Sequence, residues 1–289
     1  MLRNIFSHEM PYLKLIKEVI DKGVKQEGRN GTTYTKIGGM MRFSLENNKI
    51  PLITTKKLAW RVCLKELLWF VKGETDNNIL NKQNVHIWDG NSTREYLDSR
   101  GLFNNVEGDL GPVYGYQWRK WNKDLSKETG GIDQLQQIID CLKDSKERNS
   151  RRLIMSAWNP EQLDDMALPP CHVLSQFHVV DNKLSCTLYQ RSGDMGLGVP
   201  FNIASYCFLT HLLAKHCDLE AYEFIHFLGN MHIYDDHLEF LKKQIKKPVF
   251  DFPELIIKNK YNNIDDYSFN DFQINNYKFN NPIKMDMRV

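Results

Sequence analysis

The chain contains 289 residues, and its 38 lysines and arginines against 36 acidic residues give a formal net charge of +2. This near-balance gives no support for a nucleic-acid-binding or membrane-surface protein, and no apolar run is long enough to span a bilayer. The six cysteines form no C-x-x-C pair, so neither a zinc knuckle nor a dithiol redox motif is predicted. With an N-terminus that lacks a signal-peptide pattern, these features predict a soluble, cytoplasmic protein with reduced thiols.

Hydrophobic periodicity and turn residues define the predicted elements of the first half of the chain. They are a helix over 9–22, a loop over 23–33, a strand over 34–45 broken by Gly38 and Gly39, an apolar helix over 60–72 and a short polar helix over 93–100. A loop-rich stretch over 103–131 follows. Glu66 is the one acidic residue of the apolar helix, so it is a candidate for a buried carboxylate.

The second half of the chain mixes strands and helices without a regular βαβ rhythm. The predicted elements are an amphipathic helix over 132–146, a strand after Arg151 and Arg152, a hairpin over 172–191, a helix over 203–217 and a strand over 222–229. The Asn-rich stretch over 258–282 is interpreted as a surface segment. This order predicts the α+β class and a single domain over 1–289.

The hairpin over 172–191 places chemically reactive side chains at one end. If Val180 pairs with Lys183, then Cys171 faces Ser192 and His172 faces Arg191. A cationic neighbour favours the thiolate form of a cysteine, which is the nucleophilic form. The alternative interpretation is that Cys171 is a small buried apolar residue, as most lone cysteines are.

Eight segments in one order make the chain resemble thymidylate synthase, specifically its eukaryotic-type branch, over nearly its whole length. The segments are Glu66–Phe70, Ile87–Asp89, Gly108–Gly115, Ser150–Arg152, Leu168–His172, Leu188–Asp194, Val199–Tyr206 and His232–Tyr234. The resemblance implies a mixed sheet covered by helices and a homodimer joined through the sheets. It also implies methylation of dUMP to dTMP, with 5,10-methylenetetrahydrofolate as carbon donor and reductant and without a metal.

The resemblance assigns catalytic roles to residues of the hairpin and its neighbours. Cys171 is the expected nucleophile, and Glu66 and Tyr114 are expected to handle protons. His172 is a further candidate, with a purely structural hydrogen-bonding role as its alternative. The expected catalytic set, completed by Asp194 and Asn202, comprises Cys171, Glu66, Tyr114, His172, Asp194 and Asn202.

The expected nucleotide site combines residues of two subunits. Arg191 is expected to bind phosphate by a bidentate fork, with Ser192 and Arg29 as further phosphate ligands. Asn202 offers a donor and an acceptor that suit uracil better than cytosine, although it could instead cap the helix over 203–217. The remaining expected nucleotide ligands are Gln190, Asp194, His232, Tyr234 and, from across the dimer, Arg151 and Arg152.

The expected folate site lies beside the nucleotide site. Asp194 is expected to hydrogen-bond the pterin ring, and apolar residues are expected to line the rest of the pocket. The full set is Ile87, Trp88, Asp194, Leu197, Gly198, Phe201 and Met287. The alternative for the apolar members is that they belong to the core.

Two other functions remain open from the sequence, and the chain departs from the family pattern at several positions. A dUMP hydroxymethylase would use the same residues, and a non-catalytic RNA-binding protein could share the scaffold.

Thr33 replaces a glycine, which predicts strain in the loop that carries Arg29. The other departures are Tyr34 for threonine, Lys57 for arginine, Asn230 for aspartate and Arg288 for a small residue.

Overall fold

A computed structural model describes residues 8–28, 30–124 and 130–288. Within these residues it contains eight strands and nine α-helices. The helices are Met10–Lys22 (α1), Trp60–Val71 (α2), Asn77–Asn81 (α3), Asp89–Ser92 (α4), Arg94–Ser99 (α5), Gly115–Lys120 (α6), Gln134–Lys143 (α7), Gly198–His216 (α8) and Leu238–Gln244 (α9). The strands are Val24–Gly28 (β1), Gly31–Ser44 (β2), Ile154–Ser156 (β3), His172–Val180 (β4), Lys183–Asp194 (β5), Glu220–Tyr234 (β6), Glu254–Ile257 (β7) and Phe272–Asn275 (β8).

Six of the strands form one mixed sheet in the order β1-β2-β6-β5-β4-β3. The β5–β6 pair is parallel and the other pairs are antiparallel, so the predicted α+β class and mixed sheet are confirmed. A parallel pair requires a crossover connection, and α8 supplies it between β5 and β6. The strands β7 and β8 form a separate two-stranded sheet.

One face of the large sheet is buried beneath α8. This helix is apolar on almost every side, and 15 of its 19 residues are buried. Inward side chains of the sheet, among them Phe43, Phe177 and Phe224, are likewise buried. Because burial of apolar area is the main driving force of folding, this layer fixes the strand ends that carry the reactive residues.

The segment predicted as a loop over 23–33 is instead a hairpin. Residues Val24–Gly28 pair with the start of β2, and β2 continues through Gly38 and Gly39 without a break. The prediction was wrong because the exposed polar strand β1 lacks the apolar alternation that identifies a half-buried strand. Thr33 lies in extended backbone, and its Oγ1 is 3.1 Å from Thr35 Oγ1, so the expected strain there is absent.

The register of the β4–β5 hairpin changes by one residue at its reactive end. Pairing follows Val180 with Lys183 as far as Leu174 with Tyr189, but His172 then pairs with Gln190 rather than with Arg191. A bulge at Val173 causes the shift, and its carbonyl accepts a hydrogen bond from Ala157 N at 2.8 Å. The predicted pairing of Cys171 with Ser192 is therefore wrong, and Cys171 faces Arg191.

The segment over 258–282 is not confined to the surface. Tyr267 and Phe272 are buried, and the Trp60 ring stacks on Phe269 at a centroid distance of 5.9 Å. The polar composition of the segment obscured a few apolar residues that pack into the core.

Among the residues that the structure describes, no helix is long and apolar enough to cross a membrane.

Candidate active site

Cys171 lies immediately before β4, where its backbone is held on both sides. Its N–H donates to Tyr114 Oη at 2.9 Å, and its carbonyl accepts from Arg191 N at 2.8 Å. The side chain is half-buried, and its Sγ has no hydrogen-bond partner within the described ranges. The backbone of residue 171 is therefore fixed in position, while its sulfur stays available for chemistry.

Arg191 faces Cys171 across the hairpin, and its side chain also holds the two prolines that precede Cys171. Its Nε donates to the Pro170 carbonyl at 2.8 Å, and its Nη2 donates to the Pro169 carbonyl at 2.9 Å. The guanidinium also lies over the Trp158 ring, 5.5 Å from the centroid. Two of its five N–H donors are thus occupied, and three remain for an anion.

Tyr114 and His172 form an aromatic stack behind Cys171. Their ring centroids are 4.1 Å apart, and Tyr114 adopts a φ of 31°, which is uncommon for a residue other than glycine. Burial and the nearby Cys171 charge raise the pKa of Tyr114 well above its ordinary value. Burial lowers the pKa of His172 to about 3, and its Nδ1 lies 2.9 Å from Tyr206 Oη. His172 is therefore neutral, and its contacts favour the structural alternative.

Glu66 is half-buried on α2 beside the same aromatic group. Its Oε1 accepts a hydrogen bond from Trp88 Nε1 at 2.8 Å, and the Trp88 ring lies 5.9 Å from the Tyr114 ring. Burial raises the pKa of Glu66 to about 7, although the Trp88 hydrogen bond opposes the shift. A carboxyl group with this pKa can both take and release a proton near neutral pH.

The raised pKa of Glu66 predicts a pH-dependent effect of Glu66→Gln. Unfolded Glu66 ionises near pH 4.5 and folded Glu66 near pH 7, so the stability of the unmodified protein falls as the pH rises between these values. Glutamine keeps the oxygen that accepts from Trp88. We expect Glu66→Gln to raise the free energy of unfolding by about 1–3 kcal/mol near pH 8 and by much less near pH 5. Urea unfolding at both pH values measures this, with Glu147→Gln at an exposed carboxylate as control; a pH-independent difference contradicts the shift.

A cavity of about 500 Å³ lies at the ends of β1, β2, β5 and β6. We call it the strand-end cavity, and its lining includes Glu27, Thr33, Arg191, Ser192, His232 and Tyr234. These elements meet because β6 pairs with β2 on one side and with β5 on the other. Four predicted nucleotide ligands, Arg191, Ser192, His232 and Tyr234, therefore line a single cavity.

The side-chain amides of Asn230 and Gln190 contact two residues of this cavity, His232 and Ser192. Asn230 Oδ1 lies 3.1 Å from His232 Nδ1, so the other ring nitrogen of His232 is left for a ligand. Gln190, a predicted nucleotide ligand, is buried and donates to the Ser192 carbonyl at 2.8 Å. Buried His226 lies 2.9 Å from Gln190 Oε1 and holds that amide in place.

The α8 helix begins earlier than predicted, which corrects the proposed role of Asn202. The helix starts at Gly198, and Asp194 accepts hydrogen bonds from Gly196 N at 2.8 Å and Leu197 N at 3.1 Å. Asn202 therefore lies inside the helix, and the capping alternative is wrong. Its side chain is half-buried and has no hydrogen-bond partner among the described residues.

Asp194 is at the centre of a polar cluster that the sequence did not reveal. Burial disfavours its charge, but the nearby His237, whose Nδ1 lies 4.0 Å from Asp194 Oδ1, and the hydrogen bond from Gly196 N outweigh that and keep the pKa of Asp194 below its ordinary value. Lys56 is buried nearby and donates to the Gly196 carbonyl, and burial lowers the pKa of Lys56 to about 8. No local pattern indicated that Lys56, and not the adjacent Lys57, is the buried lysine.

The remaining predicted site residues are dispersed. Arg151 and Arg152 are exposed and precede β3, at the sheet edge opposite β1. Trp88 is buried, Met287 is exposed, and Ile87, Leu197 and Phe201 are partly buried against the core. Gly198 is the first residue of α8, and Arg29 lies outside the described residues. Across the described ranges, no three histidine, cysteine, aspartate or glutamate side chains form a cluster that could hold a metal ion.

Comparison with known proteins identifies close relatives of the chain. Residues 10–289 match the family model described as thymidylate synthase. The chain is 48% identical over 285 residues to the bifunctional dihydrofolate reductase-thymidylate synthase of Plasmodium berghei (strain Anka), covering 96% of this chain and 48% of that protein. It is 47% identical over 289 residues to the same-named protein of Leishmania major, covering 97% and 55%. The chain thus spans about half the length of the curated relatives that it matches.

Proposed function

Because the chain belongs to the thymidylate synthase family, we propose that it catalyses the reductive methylation of dUMP to dTMP, with 5,10-methylenetetrahydrofolate as co-substrate and dihydrofolate as second product. The observation that carries the proposal is Cys171, whose backbone is held beside Arg191 of the strand-end cavity and whose thiol has no partner among the described residues. A covalent nucleophile next to an anion-binding cavity suits a nucleotide whose base must be activated.

Cys171 starts the reaction by adding to the base. Carbon 6 of uracil is the electron-poor end of an enone, so the thiolate forms a bond there and the electron pair of the 5,6 double bond moves toward carbon 5 and oxygen 4. Carbon 5 thereby becomes the nucleophile. When the thiolate leaves at the end of the reaction, the double bond forms again and Cys171 is regenerated.

Proton transfers in this scheme belong to Glu66 and Tyr114. The pKa of Glu66, about 7, suits a proton relay to the base through water. Tyr114 keeps its proton because its pKa is raised, so it can donate a hydrogen bond to a water of that relay while its oxygen accepts from Cys171 N. We assign His172 the positioning of Tyr114, with which it stacks.

In this proposal, nucleotide recognition is divided among β5, β6, α8 and Arg29. Arg191 and Ser192, with Arg29, bind the phosphate; His232 and Tyr234 bind the ribose hydroxyl. Asn202 and Gln190 contact the base, and the free amide of Asn202 is suited to pair with oxygen 4 and N3–H of uracil together. The separation of Asn202 from the helix cap supports this role.

The residues present fit the folate co-substrate. Trp88, which donates to Glu66, and half-buried Ile87, Leu197 and Phe201 provide apolar surface, and Asp194 provides an ionised acceptor. Gly198 and Met287 complete the proposed set. When bound, the folate supplies the one-carbon unit and the hydride, while these side chains orient its ring and exclude water from carbon 5.

We also propose a cytoplasmic location, which the six free thiols support.

A homodimer formed through the large sheet completes the proposal. Met40, Phe227 and Tyr189 pair across three neighbouring strands and are 50%, 42% and 46% exposed. An apolar row of this kind across an open sheet face is typical of a protein interface. A second copy packed on this face would bring its Arg151 and Arg152 to the phosphate.

Mixed dimers test the shared site. We expect Cys171→Ser and the double variant Arg151→Ala/Arg152→Ala each to be nearly inactive alone. Mixed after unfolding and refolding together, they should regain about a quarter of the unmodified activity, because half of the dimers are mixed and each holds one intact site. Specific activity at a fixed total protein concentration measures this. Activity that stays at the sum of the two parents contradicts sharing of arginines across the interface.

A near-ultraviolet assay tests the proposed reaction. The purified protein is mixed with dUMP and methylenetetrahydrofolate, with dCMP in a parallel sample. We expect absorbance from dihydrofolate to rise with dUMP alone. Formation of hydroxymethyl-dUMP without that rise would instead establish a hydroxymethylase. If neither dihydrofolate nor hydroxymethyl-dUMP forms, the proposed enzymatic function is wrong.

A further inference from the structure

The C-terminal segment places an arginine at the wall of the strand-end cavity. Arg288 Nη2 donates to Asp236 Oδ2 at 2.6 Å, and the guanidinium lies over the Tyr234 ring, 5.9 Å from its centroid. Arg288 Nη1 lies 4.0 Å from the position that a Cβ on Gly31 would occupy. Gly31 and Tyr234 both line the cavity, so the Arg288 guanidinium lies beside its wall.

The segment that carries Arg288 is attached to the fold at two further points. Met285 is buried, and the Asp286 carbonyl lies 2.9 Å from His237 Nε2. These contacts fix the chain just before Arg288, so its side chain reaches the cavity wall from a defined backbone position.

The charge of the cavity shows why another cation matters there. Among the described lining residues, full charges come from Arg191 and Glu27, which oppose one another. Arg191 already donates two of its N–H groups to the carbonyls of Pro169 and Pro170. His232 adds no charge near neutral pH, because burial lowers its pKa. A phosphate monoester carries up to two negative charges, which the described lining alone does not balance, so Arg288 would add to the arginines already assigned to the phosphate above.

We propose that Arg288 is a phosphate-binding residue of the nucleotide site, and that Asp236 orients it. The carboxylate of Asp236 pairs with Nη2, while Nη1 is the Arg288 atom that lies beside Gly31 in the cavity wall. Arg288 then forms a charge-assisted hydrogen bond with the phosphate. This inference rests on the proposed function, because the phosphate in question is that of dUMP.

The test compares ligands with and without a phosphate on the full chain. Dissociation constants for dUMP are measured by calorimetry, and deoxyuridine and inorganic phosphate are measured as competitors of dUMP. The variants are Arg288→Ala, Arg288→Lys and, as matched control, Lys284→Ala, which removes an exposed positive charge from the same segment. Thermal unfolding of each variant checks that the fold is intact.

We expect Arg288→Ala to weaken the binding of dUMP and of inorganic phosphate about tenfold, as for loss of one hydrogen bond to a charged group. The binding of deoxyuridine should not change. Arg288→Lys should restore part of the loss, and Lys284→Ala should have no effect on either ligand. Equal weakening of dUMP and deoxyuridine, or unchanged dUMP binding, overturns the inference. If the unmodified protein does not bind dUMP at all, the proposed function itself is wrong, and that outcome is distinct from the others.

Discussion

Cys171→Ser is expected to lower the turnover of dUMP by roughly 10⁴-fold or more, with little change in stability. A serine hydroxyl is almost fully protonated at neutral pH and is a much poorer nucleophile toward carbon 6 than a thiolate. The change leaves the backbone bonds of residue 171 to Tyr114 and Arg191 in place, since both use main-chain atoms of that residue. Steady-state formation of dihydrofolate and thermal unfolding are the two measurements.

A second cysteine provides the matched control for this variant. Cys141 is a half-buried free thiol on α7, remote in the chain from the hairpin. Cys141→Ser makes the same one-atom change and should retain nearly full turnover. Retention of more than a few per cent of activity by Cys171→Ser would remove covalent catalysis by this residue.

Asn202→Asp is expected to shift the preference for dUMP over dCMP by roughly 10²–10³-fold toward dCMP, because an unpaired buried polar group strongly disfavours the wrong ligand. The amide of asparagine can accept from N3–H of uracil and donate to its oxygen 4. Cytosine reverses both groups, and a carboxyl group accepts from its amino group. The ratio of kcat/KM for the two nucleotides is the measurement.

Asn202→Ala separates base recognition from a general effect on the site. It removes both polar groups, so it should weaken turnover of dUMP without creating turnover of dCMP. The position is inside α8 and its side chain has no protein partner in the described residues, so neither variant removes a helix cap. An unchanged nucleotide preference in Asn202→Asp would exclude Asn202 as the specificity residue.

The sequence predicted the elements that carry the reactive residues, but not their final register. The β4–β5 hairpin followed from strand alternation and from the turn at Asp181 and Asn182. The bulge at Val173 could not be predicted, because it depends on a hydrogen bond from Ala157, next to a third strand. That one residue decides whether Cys171 faces Ser192 or Arg191.

The polar contacts beneath the site were also beyond local sequence patterns. The hydrogen bond from Lys56 to the Gly196 carbonyl and the contact of Arg191 with Trp158 each join segments that are far apart in the chain. The start of α8 was placed too late, because Pro-Phe-Asn resembles a helix start while Asp194 satisfies the N–H groups of Gly196 and Leu197. Motif resemblance located the candidate residues, and tertiary contacts determined what each one touches.

Hydrogen exchange at carbon 5 of dUMP tests the central claim most directly. Reversible addition of the Cys171 thiolate to carbon 6 lets carbon 5 take up a proton from solvent, so in heavy water it incorporates deuterium without any folate. We predict that recovered dUMP gains one mass unit with the unmodified protein and with Cys141→Ser, and gains none with Cys171→Ser. Equal exchange with Cys171→Ser, or no exchange by a protein that forms dTMP, would contradict a covalent Cys171 adduct.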